Sequence, residues 1–310
     1  MRIEWTKAVY QTHKHNAFTD LCIFAEGFLC SFREATDHMS QDGRIRIIEL
    51  TENGTIVQSQ QLAMANCDLR DPKLTRAADG RLFLNAYARC YDAQGNWTHS
   101  QSICWFSTTG KSWSAARWYG EKNWWIWRLG WHNKRAFGIG YNRRSDAINL
   151  YQGDPLRRFE CTQRGILSKD QHGLGYPNES ALCFQPNGTA IAIVRRDADT
   201  FSAQLGIAKP PYSKWQWKDL QVYIGGPSIL LWDKRTLIVS GRRWTRKGFK
   251  TAVWRLNINT TELQFITDLP SGGDNSYPGI VKKNGVLFVV YYSSHESELS
   301  NIYLSKLNPG

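Results

Sequence analysis

The stretch Asn187-Gly188-Thr189-Ala190-Ile191-Ala192-Ile193-Val194 is a tight turn followed by an apolar run, the pattern of a hairpin leading into a buried strand. The pattern occurs six times, with turns at Glu26-Gly27, Asp79-Gly80, Asn133-Lys134, Asn187-Gly188, Asp233-Lys234 and Asn284-Gly285. Successive turns lie 53, 54, 54, 46 and 51 residues apart. A period near 50 built from short strands is typical of a β-propeller with about four strands per blade. The sequence therefore predicts an all-β fold, a six-bladed β-propeller with four-stranded antiparallel blades, as a single domain over residues 1–310.

The composition agrees with one closed propeller. Hydrophobic residues make up 42% of the chain and aromatic residues 13%, which is ample for a packed core. No low-complexity linker or block of like charge interrupts the period, and the apolar runs are far too short to cross a membrane. The first residues lack the apolar core of a signal peptide, so we expect a cytoplasmic protein, or a secreted one whose leader has been removed.

Charge and cysteine content narrow the range of partners. The formal net charge of +12 favours an acidic partner. Because the basic residues are spread along the chain without a recognised nucleic-acid motif, we expect an acidic glycan, and neither nucleic acid nor a membrane. The seven cysteines are scattered with no Cys-x-x-Cys pair, so we expect no disulfide framework and no zinc site. No other residues have metal-ligand spacing, and no cofactor is expected; the oligomeric state is left open.

The six hairpins also predict where a site would lie. In an antiparallel hairpin, the start of the first strand and the end of the second lie at the same end. Because the first strand of each propeller blade lines the central channel, residues at these positions should converge on one face. Five of the six second strands end in arginine: Arg33, Arg89, Arg143 with Arg144, Arg195 with Arg196, and Arg242 with Arg243. A cluster of guanidinium groups is the usual receptor for a carboxylate or a phosphate.

In the second half of the chain, these positions resemble the sialidase (neuraminidase) superfamily of six-bladed propellers. Glu179 opens the fourth blade in Tyr-Pro-Asn-Glu-Ser, and Arg195 ends the second strand of that blade. Arg242 ends the second strand of the fifth blade, and Tyr277 opens the sixth in Asn-Ser-Tyr-Pro-Gly. In addition, residues 107–113, Ser-Thr-Thr-Gly-Lys-Ser-Trp, are similar to a degenerate form of the family's blade-turn motif, the Asp-box.

The first half of the chain departs from the family at the arginine near the start of blade one. This chain has His15-Asn16-Ala17-Phe18 there. Asn16 therefore stands at the position of one of the family's substrate-binding arginines. Arg33, Arg70 or Arg128 could supply the third positive charge from a neighbouring position.

The resemblance implies an exo-acting retaining glycoside hydrolase that releases a terminal sialic acid or a related ulosonic acid. Such a sugar carries a carboxylate on its anomeric carbon, which Arg195 and Arg242 would bind. A carboxylate nucleophile would be repelled there, whereas a neutral phenol is not, and sialidases use a tyrosine. Tyr277 is the implied nucleophile. Glu179 is the implied base, because a free phenol with a pKa of about 10 is a weak nucleophile.

The general acid is left open among four residues. In similar enzymes it lies on the loop after the second strand of blade one, where residues 33–43 contain Asp37, His38 and Asp42. Asp37 is preferred for its distance from Arg33, with His38 next, whereas Asp42 precedes a glycine as turn residues do. Asp71, in Arg-Asp-Pro at the start of blade two, should face the same cavity.

Two other functions remain open. The missing blade-one arginine allows a different glycosidase or a lyase that acts on acidic glycans with the same fold. A propeller can also bind acidic glycans without cleaving them. Six tryptophans between residues 113 and 131 offer aromatic faces, and one or two of them could stack on a sugar ring.

Overall fold

The computed structural model describes residues 1–309, which form six four-stranded antiparallel sheets. The predicted all-β, six-bladed propeller is thereby confirmed. The first strand, β1 (Arg2–Tyr10), belongs to the sixth blade.

The strands of the first three blades follow in chain order. Blade one contains β2 (His15–Phe24), β3 (Gly27–Ala35), β4 (Arg44–Leu50) and β5 (Ile56–Leu62). Blade two contains β6 (Cys67–Arg76), β7 (Leu82–Tyr91), β8 (Trp97–Ser107) and β9 (Arg117–Tyr119). Blade three contains β10 (Trp125–His132), β11 (Arg135–Asn142), β12 (Ala147–Asp154) and β13 (Arg158–Ser168).

The last three blades repeat the arrangement. Blade four contains β14 (Pro177–Phe184), β15 (Ala190–Arg196), β16 (Gln204–Ala208) and β17 (Gln216–Asp219). Blade five contains β18 (Gly225–Leu231), β19 (Thr236–Thr245), β20 (Gly248–Asn257) and β21 (Leu263–Asp268). Blade six contains β22 (Asn275–Lys283), β23 (Val286–Ser293), β24 (Asn301–Asn308) and β1. A 3₁₀ turn at Arg143–Ser145 and one helical turn, α1 (Lys169–His172), lie between strands, and no helix in residues 1–309 is long and apolar enough to span a membrane.

Each predicted turn connects the first and second strands of a blade. The first strands contact one another around the axis, and the second strands also contact the first strand of a neighbouring blade. Because the second strands are covered on both faces, their sequences are nearly continuous apolar runs, and β3 is buried along its whole length. The outer strand β5, in contrast, is largely exposed.

The ring is closed by strands that are far apart in sequence. The N-terminal strand β1 pairs antiparallel with β24, from Arg2 opposite Asn308 to Tyr10 opposite Ile302. It therefore forms the outer strand of blade six. Its hydrogen bonds with β24 hold the segment that precedes blade one against the last blade.

Every inner strand has a β-bulge at the same level. The register with the second strand shifts between Ala17 and Asp20, Arg70 and Lys73, Ile126 and Leu129, Pro177 and Ser180, Gly225 and Ser228, and Ser276 and Gly279. A bulge bends its strand and redirects a side chain, so six equivalent bulges redirect six segments at one level of the channel.

One pair of cysteines corrects the expectation from the sequence. Cys67 and Cys90 lie opposite each other on β6 and β7 and form a disulfide. Their separation in sequence concealed the pairing, which depends on strand register. The other cysteines are free, and Cys22, Cys30 and Cys104 are buried among apolar side chains.

Candidate active site

The six bulges bring together residues from all six blades, here called the bulge ring: Phe18, Asp71, Trp127, Glu179, Gly226 and Tyr277. The rings of Phe18 and Trp127 lie 5.1 and 5.7 Å from that of Tyr277. Backbone φ is positive at Phe18 (62°), Asp71 (50°) and Tyr277 (48°). A non-glycine residue in this conformation costs about 1–3 kcal/mol, and such strain is concentrated at functional sites.

Tyr277 and Glu179 are hydrogen-bonded across the bulge ring. The Tyr277 hydroxyl donates to Glu179 Oε1 at 2.8 Å and accepts from Arg195 Nη1 at 2.8 Å. Glu179 Oε2 accepts from the same Arg195 nitrogen at 2.7 Å and from the Gly226 backbone N–H at 2.8 Å. Tyr277 and Glu179 are each only 7% exposed. The two residues that the sequence predicts as nucleophile and base are thus in direct contact, and Arg195 and the Gly226 N–H orient the carboxylate.

The electrostatics of this group keep the phenol protonated. Burial, followed by the negative charge of Glu179, raises the pKa of Tyr277 well above its ordinary value, although Arg195 and Arg242 oppose the shift. The hydroxyl is therefore neutral at neutral pH. It can act as a nucleophile only by giving its proton to Glu179.

Arg242 lies against the ring of Tyr277. Its guanidinium carbon is 5.1 Å from the centroid of that ring and 5.1 Å from the centroid of Phe249. Nε donates to the Asn275 carbonyl at 2.9 Å, and Nη2 donates to Asp274 Oδ1 at 3.2 Å. Nη1 has no hydrogen-bond partner among residues 1–309, so this nitrogen is available to bind an anion.

Strand alternation explains why one arginine of each doublet reaches the site. Successive side chains of a strand point to opposite faces. Arg195 in β15 and Arg242 in β19 face the bulge ring. Arg196 is fully buried on the other face, where it donates to the Gly175 carbonyl at 3.2 Å, and Arg243 also lies on the far side of its strand.

Two carboxylates in the site were missed by the sequence analysis. Asp197 binds Arg195 through both oxygens, at 3.0 Å from Nε and 2.9 Å from Nη2. It follows Arg195 by two residues and so points to the same face, which is a signal that alternation could have supplied. Asp274 precedes Tyr277 by three residues, but nothing in the sequence connects it to Arg242.

Two histidines meet at Asp274. Its Oδ2 accepts from His15 Nε2 at 3.0 Å and from His38 Nδ1 at 2.8 Å. Burial opposes the ionisation of Asp274, but these hydrogen bonds and the charge of Arg242 lower its pKa well below the usual range. The His38 side chain is 44% exposed, and its ring lies 5.3 Å from that of Phe18 in the bulge ring. The structure thus brings His38 to the candidate site.

The same three side chains are a possible metal-binding group. In residues 1–309, His15, His38 and Asp274 form the one cluster whose ligand atoms lie within 4.8 Å of one another. The guanidinium of Arg242 bonds the second oxygen of Asp274 and disfavours a further cation there. The absence of a metal site therefore stays a prediction.

Asp37 and Asp42, the other acid candidates on the loop, bond within the loop. Asp37 Oδ1 accepts from the backbone N–H groups of Met39 and Ser40, at 2.7 Å each. Asp42 accepts from the N–H and the hydroxyl of Thr36 at 3.1 and 2.7 Å. Both carboxylates act as turn residues.

Arg33 and Arg70, which were expected to bind substrate, hold the same loop. Arg33 is fully buried and donates to loop carbonyls, including that of Asp37 at 3.0 Å, while Arg70 donates to the His38 carbonyl at 3.1 Å. Asp68 lies between the two guanidinium groups, at 2.9 Å from Arg33 and 2.6 Å from Arg70. The structure does not bring Arg33 to the cavity, because no part of its side chain is exposed.

Asn16 and Arg128 form their hydrogen bonds with groups other than the Tyr277 and Glu179 side chains. Asn16 is fully buried, and its amide donates to the hydroxyl of Thr12 and to backbone carbonyls. Arg128 lies in the central channel, in a cavity of about 330 Å³ lined by residues that follow the bulges along the inner strands. It donates to Asp20 Oδ1 and to the Pro278 carbonyl, at 2.8 Å each. Neither Arg33 nor Arg128 therefore joins Arg195 and Arg242.

Asp71 is a buried carboxyl group in the bulge ring. Burial, together with the negative charge of Glu179, raises its pKa to about 7 against the opposing charges of Lys73, Arg70 and Arg33. Its Oδ1 is buried without a hydrogen-bond partner. Asp71 is thus a carboxylic acid that retains its proton more strongly than an exposed one.

Comparisons with known proteins identify solved structures with the same fold. No protein-family model matches the chain, and no curated protein matches it by sequence. A protein of unknown function from Dyadobacter fermentans is similar in structure, with a TM-score of 0.84 and 15% identity over 100% of this chain and 99% of the other. The NanB sialidase of Streptococcus pneumoniae has a TM-score of 0.70 and 12% identity, over 97% of this chain and 70% of the sialidase.

The GH93 α-L-arabinofuranosidase of Fusarium graminearum is similar to the same degree. Its TM-score is 0.72 at 10% identity, over 97% of this chain and 96% of the enzyme. At such identities these structures establish a shared propeller fold.

Proposed function

We propose that this chain is a retaining exo-glycoside hydrolase that releases a terminal sugar acid, with Tyr277 as its nucleophile. The observation that carries the proposal is the hydrogen bond of 2.8 Å from the Tyr277 hydroxyl to Glu179, with Arg195 bonded to both residues. A neutral phenol suits a sugar whose anomeric carbon carries a carboxylate, because a charged nucleophile would be repelled. Sialic acid and related ulosonic acids are sugars of this kind.

In the first step, Tyr277 Oη attacks the anomeric carbon while its proton passes to Glu179 Oε1. The bond to the leaving oxygen breaks, and that oxygen takes a proton from His38, which yields a glycosyl-tyrosine and the free leaving group. In the second step, His38 takes a proton from the water that attacks the anomeric carbon, and Glu179 returns its proton to the phenolate. Asp274 orients His38 through Nδ1, which leaves Nε2 for proton transfer.

Arg242 Nη1 is the group that would hold the substrate carboxylate, assisted by the charge of Arg195. This receptor has two arginines, whereas the resemblance to sialidases implies three. A glycosidase acting on another acidic sugar is therefore the second candidate. Asp71, a buried carboxyl that retains its proton, would be available to such an enzyme as a general acid.

Hydrolysis of a 4-methylumbelliferyl α-sialoside tests the proposal. We expect Tyr277→Phe to lower kcat/KM by at least about a thousandfold, because the nucleophile is lost. Tyr303→Phe is the matched control, since the Tyr303 hydroxyl bonds Glu296 and not the site. Full activity of Tyr277→Phe would exclude Tyr277 as the nucleophile. Hydrolysis of other acidic glycosides, but not of the sialoside, would favour the second candidate.

A further inference from the structure

A groove of about 510 Å³ lies on the same face as the bulge ring, between blades two, three and four. Its lining comes from the ends of the second strands of blades two and three, together with Trp97, Trp125 and Tyr176. Its volume lies within the range of about 300–1,000 Å³ that small-molecule sites occupy. None of the residues in the proposed reaction lines it.

The groove lies next to Tyr277 and Glu179. The ring of Trp125 lies 6.2 Å from that of Trp127, which lies 5.7 Å from that of Tyr277. Tyr176 precedes Glu179 by three residues, and its carbonyl accepts a hydrogen bond from Asn178 at 3.2 Å. A glycan whose terminal sugar lies at Tyr277 can therefore extend into the groove.

The groove contains positive charge without negative charge. Arg89, Arg143 and Arg144 line it, and its lining includes no carboxylate. Within residues 1–309, none of these three guanidinium groups forms a salt bridge or a side-chain hydrogen bond. The arginines nearer the axis are all paired with carboxylates: Arg33, Arg70, Arg128, Arg195 and Arg242. The groove thus carries positive charge that no carboxylate of residues 1–309 neutralises through a salt bridge.

Aromatic side chains form the other part of the lining. The rings of Tyr87, Trp125 and Tyr141 are stacked, with centroids 4.2 and 5.6 Å apart. Trp97 is 45% exposed, and its Nε1 donates to Ser100 at 2.9 Å, which fixes the indole in place. The apolar face of a sugar ring packs well on an exposed indole, while arginines bind charged groups on the same sugar.

We propose that this groove binds a second, anionic sugar residue of the glycan, next to the residue that is cleaved. The anionic group is a carboxylate or a sulfate, either of which an arginine pair can bind. The inference rests on the proposed function for the identity of the cleaved residue. Binding in the groove, however, requires no turnover, so it can be tested separately.

Calorimetry with acidic and neutral tetrasaccharides tests the inference. The acidic probes are hyaluronan, oligogalacturonate and chondroitin sulfate tetrasaccharides, and the neutral probe is chitotetraose. None contains an ulosonic acid, so binding does not require the sugar that the proposed reaction cleaves, and the groove variants decide where the probe binds. We expect at least one acidic probe to bind about tenfold or more tighter than chitotetraose, because each charged hydrogen bond adds appreciably to affinity. A preference for the carboxylate or for the sulfate probes would support the inference equally.

Matched variants locate the binding. We expect Arg143→Gln/Arg144→Gln to weaken binding of the acidic probe about tenfold or more, and Trp97→Ala to weaken it as well. Arg157→Gln/Arg158→Gln is the control. It removes the same charge from the opposite end of blade three, where these side chains are 88% and 80% exposed. Absence of binding by every acidic probe, equal affinity for chitotetraose, or an equal loss in the control would overturn the inference.

Discussion

Charge in the candidate site is nearly balanced residue by residue. Arg195 is paired with Glu179 and Asp197, and Arg242 is paired with Asp274. Because each of these guanidinium groups keeps a carboxylate partner, an incoming anion finds a receptor where an N–H is free, as at Arg242 Nη1. A substrate carboxylate would therefore be bound by a directed contact and not by a general positive field.

At the residue scale, His38→Asn tests the assignment of the general acid. We expect it to slow the release of an aliphatic alcohol by about 10²–10⁴-fold, because that leaving oxygen needs a proton. A nitrophenol needs little protonation, so its release should slow far less. The measurement is kcat/KM for the two glycosides.

Asp37→Asn is the matched control, since asparagine keeps the oxygen that accepts from Met39 and Ser40. It should leave both rates nearly unchanged. If Asp37→Asn, and not His38→Asn, produced the loss that depends on the leaving group, Asp37 would be the acid.

The raised pKa of Asp71 predicts a pH-dependent contribution to stability. A carboxyl with a raised pKa in the folded state stabilises the fold fully below its unfolded pKa of about 3.9 and loses this contribution as the pH rises through its folded pKa, about 7. The wild-type free energy of unfolding should therefore fall, relative to Asp71→Asn, between about pH 4 and 8, by at most about 1.4 kcal/mol per pH unit.

Urea unfolding of both proteins across this range measures the difference. Asp79→Asn is the control, because hydrogen bonds from Arg81 lower the pKa of Asp79 and its difference from wild type should therefore stay nearly constant above about pH 4. A constant difference between wild type and Asp71→Asn would show that Asp71 titrates normally.

Single residues also mark the limit of what the sequence could predict. Spacing and resemblance drew attention to Glu179, Arg195, Arg242 and Tyr277, and the structure brings these four into contact. The remaining arginines could not be assigned, because whether an arginine is free depends on a carboxylate from a distant part of the chain. Arg128 is paired with a residue 108 positions away.

At the scale of the element, the β-bulge is the unit that builds the site. Hydrophobic periodicity predicted the strands and turns but not the bulges, since a bulge changes register without changing composition. A local signal was nevertheless present, because proline follows the bulged residue at Asp71-Pro72, Gly226-Pro227 and Tyr277-Pro278. Proline lacks the N–H of a regular ladder and is found in strands mainly at edges and bulges.

Gly226→Ala tests the bulge in blade five. Backbone φ at Gly226 is 55°, and a Cβ there would lie 2.7 Å from Cγ of Tyr277. The tyrosine would have to move, and a displacement of about 1 Å can cost about 10²-fold in rate. Gly80→Ala is the control, because φ is 86° but no atom lies within 4 Å of its Cβ. It should lose about 1–2 kcal/mol of stability and keep its kcat/KM. Equal activity of the two variants would show that Tyr277 tolerates the added methyl.

At the scale of the whole molecule, the period fixed the number of blades but did not reveal how the ring closes. Residues 1–10 precede the first hairpin, and their partner, β24, is nearly 300 residues away. Nothing local in a short strand indicates such a partner. Closure follows from topology, since blade six otherwise has three strands.

Deleting residues 1–10 should lower Tm by at least about 5 °C, because the edge of β24 loses its paired strand and the buried Val9 is removed. Calorimetric unfolding measures the change. Lys7→Ala alters an exposed side chain of the same strand and should leave Tm nearly unchanged. An unchanged Tm after the deletion would mean that β1 does not contribute to closure.

The closure of blade six has a consequence during protein synthesis. The ribosome makes β1 before blades one to five and the other strands of blade six after them, so β1 remains without its partner until those five blades have been made. Glu179, Arg195 and Arg242 emerge before Tyr277. A product of premature termination after blade five therefore carries the base and both arginines but lacks the group that reacts. In the proposed mechanism, such an error would yield an inert polypeptide and not a partly active enzyme.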